Sequence, residues 1–469
     1  MLADDVLLVI FEFCADEDSF TKKAIEAWQS LVHVCRRWRI LVFGSPRRLQ
    51  LQLVCTPGTP TRDTLDIWPC LPLSIQCDNA YPTDNDYPTE SVENIITGFE
   101  CSDRVCLVDL RNFPSSHLER VLAAMQVQFP KLTYLVLSSS VESAPVIPDS
   151  FLGGSATSLE TIGLDGIPFP GVPRLLLSAT HLESLRLENI PHSGYMSPEA
   201  MVTTLSTLTS LEYLTLGFQS PRSFPDQETR LLPPLARAVL PILASFSFKG
   251  VSEYLDDLVA RIDAPQVHSL SITFFNQIVF DTPQFIQFID RTPTLKALKI
   301  ALLTFRDGAA RVNLSPSTFG YGGIDLKIPC SELDWQVSSL EQVCTASLPP
   351  LSTLEVLYIF KAPRSQPDWQ DNIENALWLD LLRPFPAVRN LYLCEEFAPR
   401  IVPALRELVG GRTIEVLPTL QNIFLEELQP SGPVQDGIRQ FVAARQVTSH
   451  PIAVSRWDNS KRDKFWRNW

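Results

Sequence analysis

Few residues of this chain of 469 stand at spacings that could carry out catalysis. Asp256/Asp257 and Glu426/Glu427 are adjacent acids of the kind that can act as general acid and base. Neighbouring residues on a helix point apart, so both pairs are interpreted as solvated faces. The segment 320–323, Gly-Tyr-Gly-Gly, begins like a dinucleotide-binding loop but lacks the final spaced glycine, so it is interpreted as an ordinary loop.

The remaining chemistry-bearing residue types are dispersed along the chain. No nucleophile elbow, phosphate loop or zinc-protease motif appears, and the six histidines are widely separated. The ten cysteines stand singly, without a Cys-x-x-Cys pair. The sequence therefore predicts a protein that is not an enzyme, with no cofactor, no metal site and no disulfide framework, and whose thiols are reduced in the cytoplasm or nucleus.

Composition favours a packed globular protein that does not bind polyanions. Hydrophobic residues make up 45% of the chain and charged residues 20%, which allows a large core. The net charge of -14 opposes attraction to nucleic acid or an anionic membrane. The acidic start and the short apolar run 6–13 indicate neither a signal peptide nor a membrane span.

Two amphipathic segments open the chain. Residues 2–14 place Val6, Ile10 and Phe13 on one helical face, and apolar residues at intervals of three or four from Ile25 to Val42 predict a second helix. The segment 43–46, Phe-Gly-Ser-Pro, ends it. Helices this short bury too little surface to be stable alone, so their apolar faces need a partner protein or the rest of the chain. One alternative is therefore that they form an N-terminal cap on the rest of the chain.

The second segment contains the hexapeptide 34–39, Val-Cys-Arg-Arg-Trp-Arg, whose arginines are expected on the solvent-exposed side of the helix. With this hexapeptide, residues 2–48 resemble an F-box, although Ala3 stands where that family usually has proline. The resemblance implies docking onto a Skp-type adaptor and, through it, a cullin. It gives as adaptor-binding positions Leu2, Val6, Ile10, Val34, Cys35 and Trp38.

From about residue 105 the pattern apolar-x-x-apolar-x-apolar recurs eleven times, as in Leu132/Leu135/Leu137. Successive starts lie 23 to 34 residues apart, apart from one gap of 59 residues that could hold a further repeat around Leu326 and Ile328. Each unit predicts a short strand that buries its last two apolar residues, followed by a return segment that is often helical. Only the next unit can cover its apolar edge, so the units stack.

This pattern resembles a leucine-rich repeat, without the usual Asn or Cys of each unit. The predicted fold is α/β: N-terminal all-α F-box helices, then an irregular leucine-rich-repeat solenoid with parallel strands inside and helices outside. The expected divisions are a helical module 1–48, a connecting segment with the first strands 49–104, a solenoid 105–430, a C-terminal capping helix 431–455 and a basic aromatic tail 456–469. Short sequence segments such as 178–182, Ser-Ala-Thr-His-Leu, resemble segments of fungal F-box proteins.

The residue between the two buried positions of each strand should face the open side of the sheet. Exposed aromatics there are typical of interface anchors. The candidates for binding a client protein are Arg186, Lys299, Tyr358, Phe360, Tyr392 and Phe424. Alternatively, the C-terminal helix or tail covers these aromatics and makes them core.

The sequence thus favours a substrate-recognition subunit of a Skp/cullin/F-box ubiquitin ligase. The competing interpretation is a non-catalytic repeat scaffold for protein-protein interaction, whose N-terminal helices only cap the solenoid.

Overall fold

The computed structural model describes residues 2–14, 27–46, 48–49, 51–78, 89–139, 144–170, 172–221, 237–275, 280–317, 322–346, 348–362, 373–408, 412, 414–426 and 431–457. The chain divides into two compact units. One comprises residues 1–211 with 222–225, and the other 212–221 with 226–469. No helix in the described ranges is long and apolar enough to cross a membrane.

The first unit begins with helices and continues as strands separated by helical return segments. Its helices are α1 (Asp4–Cys14), α2 (Ala27–Val32), α3 (Arg36–Gly44), α4 (Thr61–Ile67), α5 (Thr89–Phe99), α6 (Ser115–Ala124), α7 (Val172–Leu176) and α8 (Pro198–Leu205). Its strands are β1 (Leu53–Cys55), β2 (Leu73–Asp78), β3 (Val105–Phe113), β4 (Tyr134–Ser139), β5 (Thr161–Asp165) and β6 (Ser184–Ile190).

The six strands of the first unit pair in chain order, each parallel to the next. The register aligns equivalent leucines of successive units: Leu137 lies beside Leu164, which lies beside Leu187. All three side chains are buried. The apolar positions therefore form continuous buried rows, as the repeat pattern predicts.

The second unit continues the same alternation. Its strands are β7 (Tyr213–Phe218), β8 (Ala238–Val239), β9 (Ser245–Gly250), β10 (Ile262–Asp263), β11 (Ser269–Phe274), β12 (Ile300–Arg306), β13 (Ala309–Ser315), β14 (Gly323–Pro329), β15 (Val356–Lys361), β16 (Asn390–Leu393), β17 (Asn422–Leu425) and β18 (Ala453–Arg456). Its helices are α9 (Ser252–Ala260), α10 (Pro283–Arg291), α11 (Leu333–Ala346), α12 (Asn375–Leu382), α13 (Ala398–Arg406) and α14 (Pro433–Val447).

The 59-residue gap in the repeat pattern holds an inserted hairpin. Strand β13 is antiparallel to both β12 and β14, and β14 is parallel to β11, so the order is β11-β14-β13-β12-β15. Leu326 and Ile328 lie on β14 and are buried. The expected strand is therefore present, and the antiparallel β13 is the departure from a regular solenoid.

One helix boundary differs from the prediction. The segment expected to form one helix up to Val42 contains a break, because α2 ends at Val32 and α3 begins at Arg36. Cys35, the residue before α3, has extended backbone angles of -160° and 167°. Helix α3 ends at Gly44, where the glycine and the following proline predict it. Ile25 lies outside the described residues.

Candidate functional site

Helix α1 is apolar on two opposite faces. Its inner face consists of Leu7, Leu8 and Phe11, all buried, and Phe11 is only 1% exposed. Its other face carries Val6, Val9, Ile10 and Phe13, and together with Leu2, which precedes the helix, we call these residues the outer apolar stripe. The spacings of three and four residues align these side chains along one side of the helix.

Every member of the outer apolar stripe is exposed, and Phe13 is 84% exposed. A single exposed leucine needs no explanation, but five apolar side chains in one stripe are typical of a surface that binds a partner. Sequence analysis assigned Leu2, Val6 and Ile10 to adaptor binding but missed Val9. Its spacing of three residues from Val6 is the signal that could have identified it.

Ion pairs fix the orientation of α1. The Arg37 guanidinium donates to the Asp4 carboxylate and, over 2.6 Å, to the carbonyl oxygen of Leu2. At the other end of the helix, Arg48 pairs with Glu12, which holds the pKa of the Glu12 carboxyl below its usual value. Arg37 was expected on the solvent side of its helix, without a partner. These ion pairs instead link α1 to α3 and to the segment that follows α3.

The Arg37 contact also gathers the remaining adaptor-binding candidates. Because Arg37 lies in the first turn of α3, it brings the start of α1 close to the α2–α3 turn. Val34 and Cys35 stand in that turn, and both are exposed. Trp38 points inward: its ring lies 4.8 Å from that of Phe11 in an edge-on arrangement. Trp38 is therefore half-buried in the helical module, unlike the other five adaptor-binding candidates, which are exposed.

Helices α2 and α3 also pack on the start of the repeat array. The Trp28 indole N–H donates to the carbonyl oxygen of Gln52 over 3.0 Å, and its ring lies 5.4 Å from that of Trp68. Phe43 of α3 contacts both tryptophans. The N-terminal helices therefore do cap the first strands, but this contact uses α2 and α3 and leaves the outer apolar stripe exposed.

The predicted aromatic side chains Tyr358, Tyr392 and Phe424 form a ladder on strands β15 to β17 of the second unit. The register places Tyr358 beside Tyr392 and Tyr392 beside Phe424. Their rings stack at centroid distances of 4.3 Å and 4.4 Å. Sequence alternation therefore identified the correct row of residues on neighbouring strands.

The end of the described chain covers part of this ladder. Strand β18 pairs with β17 and carries the chain to Trp457, whose ring stacks on Phe360 at 4.9 Å and an interplanar angle of 11°. The same ring contacts Tyr358 at 6.0 Å and Tyr392 at 5.5 Å. Phe360 and Tyr358 are consequently buried, while Tyr392 and Phe424 are half-buried.

Burial changes the chemistry of the ladder phenols. Loss of solvation, reinforced by the neighbouring Tyr392 ring, raises the pKa of Tyr358 well above its usual value. Burial raises the pKa of Tyr392 as well. Both tyrosines are therefore neutral at physiological pH and act as apolar rings with a polar tip.

The other two client candidates lie elsewhere. Arg186 is exposed on β6 in the first unit. Lys299 is exposed but precedes β12, so the expectation that it lies in the ladder's row was wrong. Leu302 occupies that row instead, opposite Tyr358. Strand β12 begins at Ile300, later than the apolar triplet indicates.

Two predicted solvated acids are buried. Asp256 accepts hydrogen bonds from the backbone N–H groups of Gln284 (2.8 Å) and Phe285 (2.9 Å) and so caps α10. A carboxylate at a helix N-terminus is stabilised by the free N–H groups and the helix dipole. Asp257 is half-buried. Glu426 is buried and accepts from the backbone N–H of Glu395, whereas Glu427 lies outside the described residues.

Glu426 also belongs to a cluster with metal-ligand chemistry. Ligand atoms of Cys394, Glu396 and Glu426 lie within 4.8 Å of one another. The Lys361 ammonium lies 3.3 Å from the Glu396 carboxylate and supplies a positive charge there. Burial raises the pKa of the Cys394 thiol to about 12, so this sulfur is protonated at physiological pH unless a cation binds beside it.

Comparisons with known proteins add little. No protein-family model matches the chain, and no curated protein matches it. Among solved structures, the leucine-rich repeat-containing protein LegL7 from Legionella pneumophila is 13% identical, covering 83% of this chain and 97% of that chain with a TM-score of 0.28. The Rad7 and Elc1 complex in yeast contains a chain that is 13% identical, with coverages of 92% and 91% and a TM-score of 0.29. Likenesses this distant say nothing about the activity of this chain.

Proposed function

We propose that this chain is the substrate-recognition subunit of a Skp/cullin/F-box ubiquitin ligase. The outer apolar stripe of α1, extended by Val34 and Cys35, docks onto a Skp-type adaptor and thereby onto a cullin. The repeat array holds the client protein. The chain itself carries out no bond chemistry.

The observation that supports this proposal best is that α1 carries apolar side chains on two opposite faces, of which only one is buried. A helix that only capped the array would need one apolar face, and its opposite face would be polar. The outer apolar stripe has the spacing of anchors that an amphipathic helix lays into an apolar groove. A groove on a helical adaptor is the matching partner surface.

The scaffold alternative is favoured by the contact of Trp28 with Gln52 and Trp68, which seals the start of the array. The two roles are compatible, because they use different helices. The outer apolar stripe supports the receptor, because it has a function there and none in the scaffold.

The client-binding surface is proposed on the open face of the array. Its candidates are the half-buried Tyr392 and Phe424 in the second unit and the exposed Arg186 in the first. Lys299 and the covered Tyr358 and Phe360 are weaker candidates. Binding raises the effective concentration of a client lysine near the ligase's conjugating enzyme. We place this receptor in the cytoplasm or nucleus, where its free cysteines stay reduced.

The test is co-purification with the adaptor and cullin. Wild type is compared with Val6→Asp/Ile10→Asp, which puts two charges into the outer apolar stripe without touching the inner face. We expect wild type to retain both partners and the variant to lose them, because a buried unpaired carboxylate opposes docking.

A matched control is Val127→Asp/Leu177→Asp, which charges two exposed apolar residues elsewhere in the same unit. This control should retain adaptor and cullin. Failure of wild type to recruit the adaptor, under conditions in which a known F-box does so, contradicts the receptor proposal and leaves the scaffold.

A further inference from the structure

In the second unit, a row of cations crosses strands β9, β11, β14 and β13 on the open face of the sheet. The register places Lys249 on β9 beside Thr273 on β11, Thr273 beside Lys327 on β14, and Lys327 beside Arg311 on β13. Directly paired residues project to the same face of a sheet. We call Lys249, Lys327 and Arg311 the cationic row. All three side chains are half-buried.

The face around this row has an excess of positive charge. Arg306 projects on the same face, two residues beyond Thr304, which is paired with Arg311. Asp325 partly offsets them: it accepts from Arg311 over 3.0 Å and lies 3.5 Å from the Ser271 hydroxyl. Among the described residues at these paired positions, four cations stand beside one acid, on a chain whose net charge is -14.

The ionisation of Lys327 reflects this local field. Burial lowers the pKa of the Lys327 ammonium, and repulsion from Arg306, Arg311 and Lys249 lowers it further, while Asp325 partly opposes these effects. An anion beside Lys327 would relieve the repulsion. The pattern is that expected where like charges are gathered at a binding surface rather than dispersed over a solvated one.

The spacing of the cationic row indicates the shape of the anion. Neighbouring strands lie about 4.8 Å apart, so the three strand spacings from Lys249 to Arg311 span about 14 Å. This is wider than one carboxylate or phosphate. An extended peptide rises about 3.3 Å per residue, so acids at alternate positions i, i+2 and i+4 span about 13 Å. Thr273 within the row adds a hydroxyl that can bind the peptide's polar groups.

We propose that the cationic row binds an acidic peptide in extended conformation, with carboxylates at alternate positions. Charge complementarity selects this occupant, and the length of the row distinguishes it from a small anion. This proposal rests on the proposed function in one respect only: it assumes that the acidic peptide is a segment of a client protein. Binding of the peptide itself requires no adaptor.

The experiment measures fluorescence anisotropy of a labelled peptide, Glu-Ser-Glu-Ser-Glu-Ser, titrated with the purified full chain. We expect binding that weakens with added salt and is lost for the Gln-Ser repeat. Lys249→Gln/Lys327→Gln should weaken binding about tenfold, because two charge-assisted contacts are removed. The control Lys131→Gln/Lys296→Gln removes the same charge from exposed lysines and should bind as wild type does.

Three outcomes overturn the inference. The Glu and Gln peptides bind equally well, or the test and control variants lose the same peptide affinity. The third is that inorganic phosphate, at a concentration equal to that of the peptide, displaces the labelled peptide. The last would assign the row to a small anion. Because the assay contains no adaptor, a negative result leaves the adaptor proposal intact. Conversely, peptide binding by a chain that fails to recruit adaptor supports the peptide site alone.

Discussion

The outer apolar stripe at α1 and the aromatic ladder on β15 to β17 both present apolar side chains where the sequence predicts an interaction surface. The two surfaces differ in whether other residues of the chain cover them. The stripe stays open, with Phe13 at 84% exposure, whereas Trp457 is stacked on Phe360 and leaves Tyr358 at 7%. An apolar row in a sequence therefore identifies a surface, and the remaining contacts of the chain decide whether a partner or the chain itself covers it.

The largest effect is expected on stability, when one phenylalanine from each region is replaced by alanine. Phe360→Ala removes a buried ring stacked on Trp457 and should lower the free energy of unfolding by about 3–5 kcal/mol. Phe13→Ala removes an exposed ring and should change it by less than about 0.5 kcal/mol. Urea unfolding of both variants measures the difference, and equal losses would show that the two regions are not distinguished by burial.

A somewhat smaller effect is expected for Trp457→Ala. Removing the indole uncovers Phe360 and Tyr358, so stability should fall by about 3 kcal/mol and binding of an apolar fluorescent dye should increase. Trp335→Ala, at an exposed tryptophan, is the control and should do neither. An unchanged dye signal for Trp457→Ala would mean that this ring does not close the ladder.

The smallest effect is a dependence of stability on alkaline pH. The pKa of Tyr358 is raised in the folded chain, so its contribution is complete below the unfolded tyrosine value of about 10 and is lost as the pH rises above it. Tyr358→Phe keeps the ring and should flatten the decline in melting temperature between about pH 9 and 11. Tyr213→Phe, at an exposed tyrosine, should leave the decline as in wild type.

Sequence analysis predicted what depends on local periodicity. Buried rows such as Leu137, Leu164 and Leu187, and the alignment of Tyr358 with Tyr392, follow from alternation along each strand. The shared face of Val6, Ile10 and Phe13 on α1 was also identified from spacing. These features require only that a residue's neighbours in sequence determine its face.

Sequence analysis missed what depends on contacts between distant segments. The antiparallel β13, the cap that Asp256 provides for α10 and the pairing of Arg37 with Asp4 all join residues without a periodic signal. The cationic row was missed for the same reason: its members lie on three strands and meet only through the register. Whether Trp457 covers the ladder was left open, because one tryptophan after a strand does not indicate where its ring packs.

The receptor proposal requires the outer apolar stripe to bind an adaptor. Calorimetric titration of purified Skp-type adaptor into the chain, at two temperatures, measures this binding. We expect wild type to bind with a negative heat-capacity change, as apolar burial requires, and Val6→Asp/Ile10→Asp to bind about 100-fold more weakly. Equal affinity in wild type and variant, or no binding by either, would contradict it.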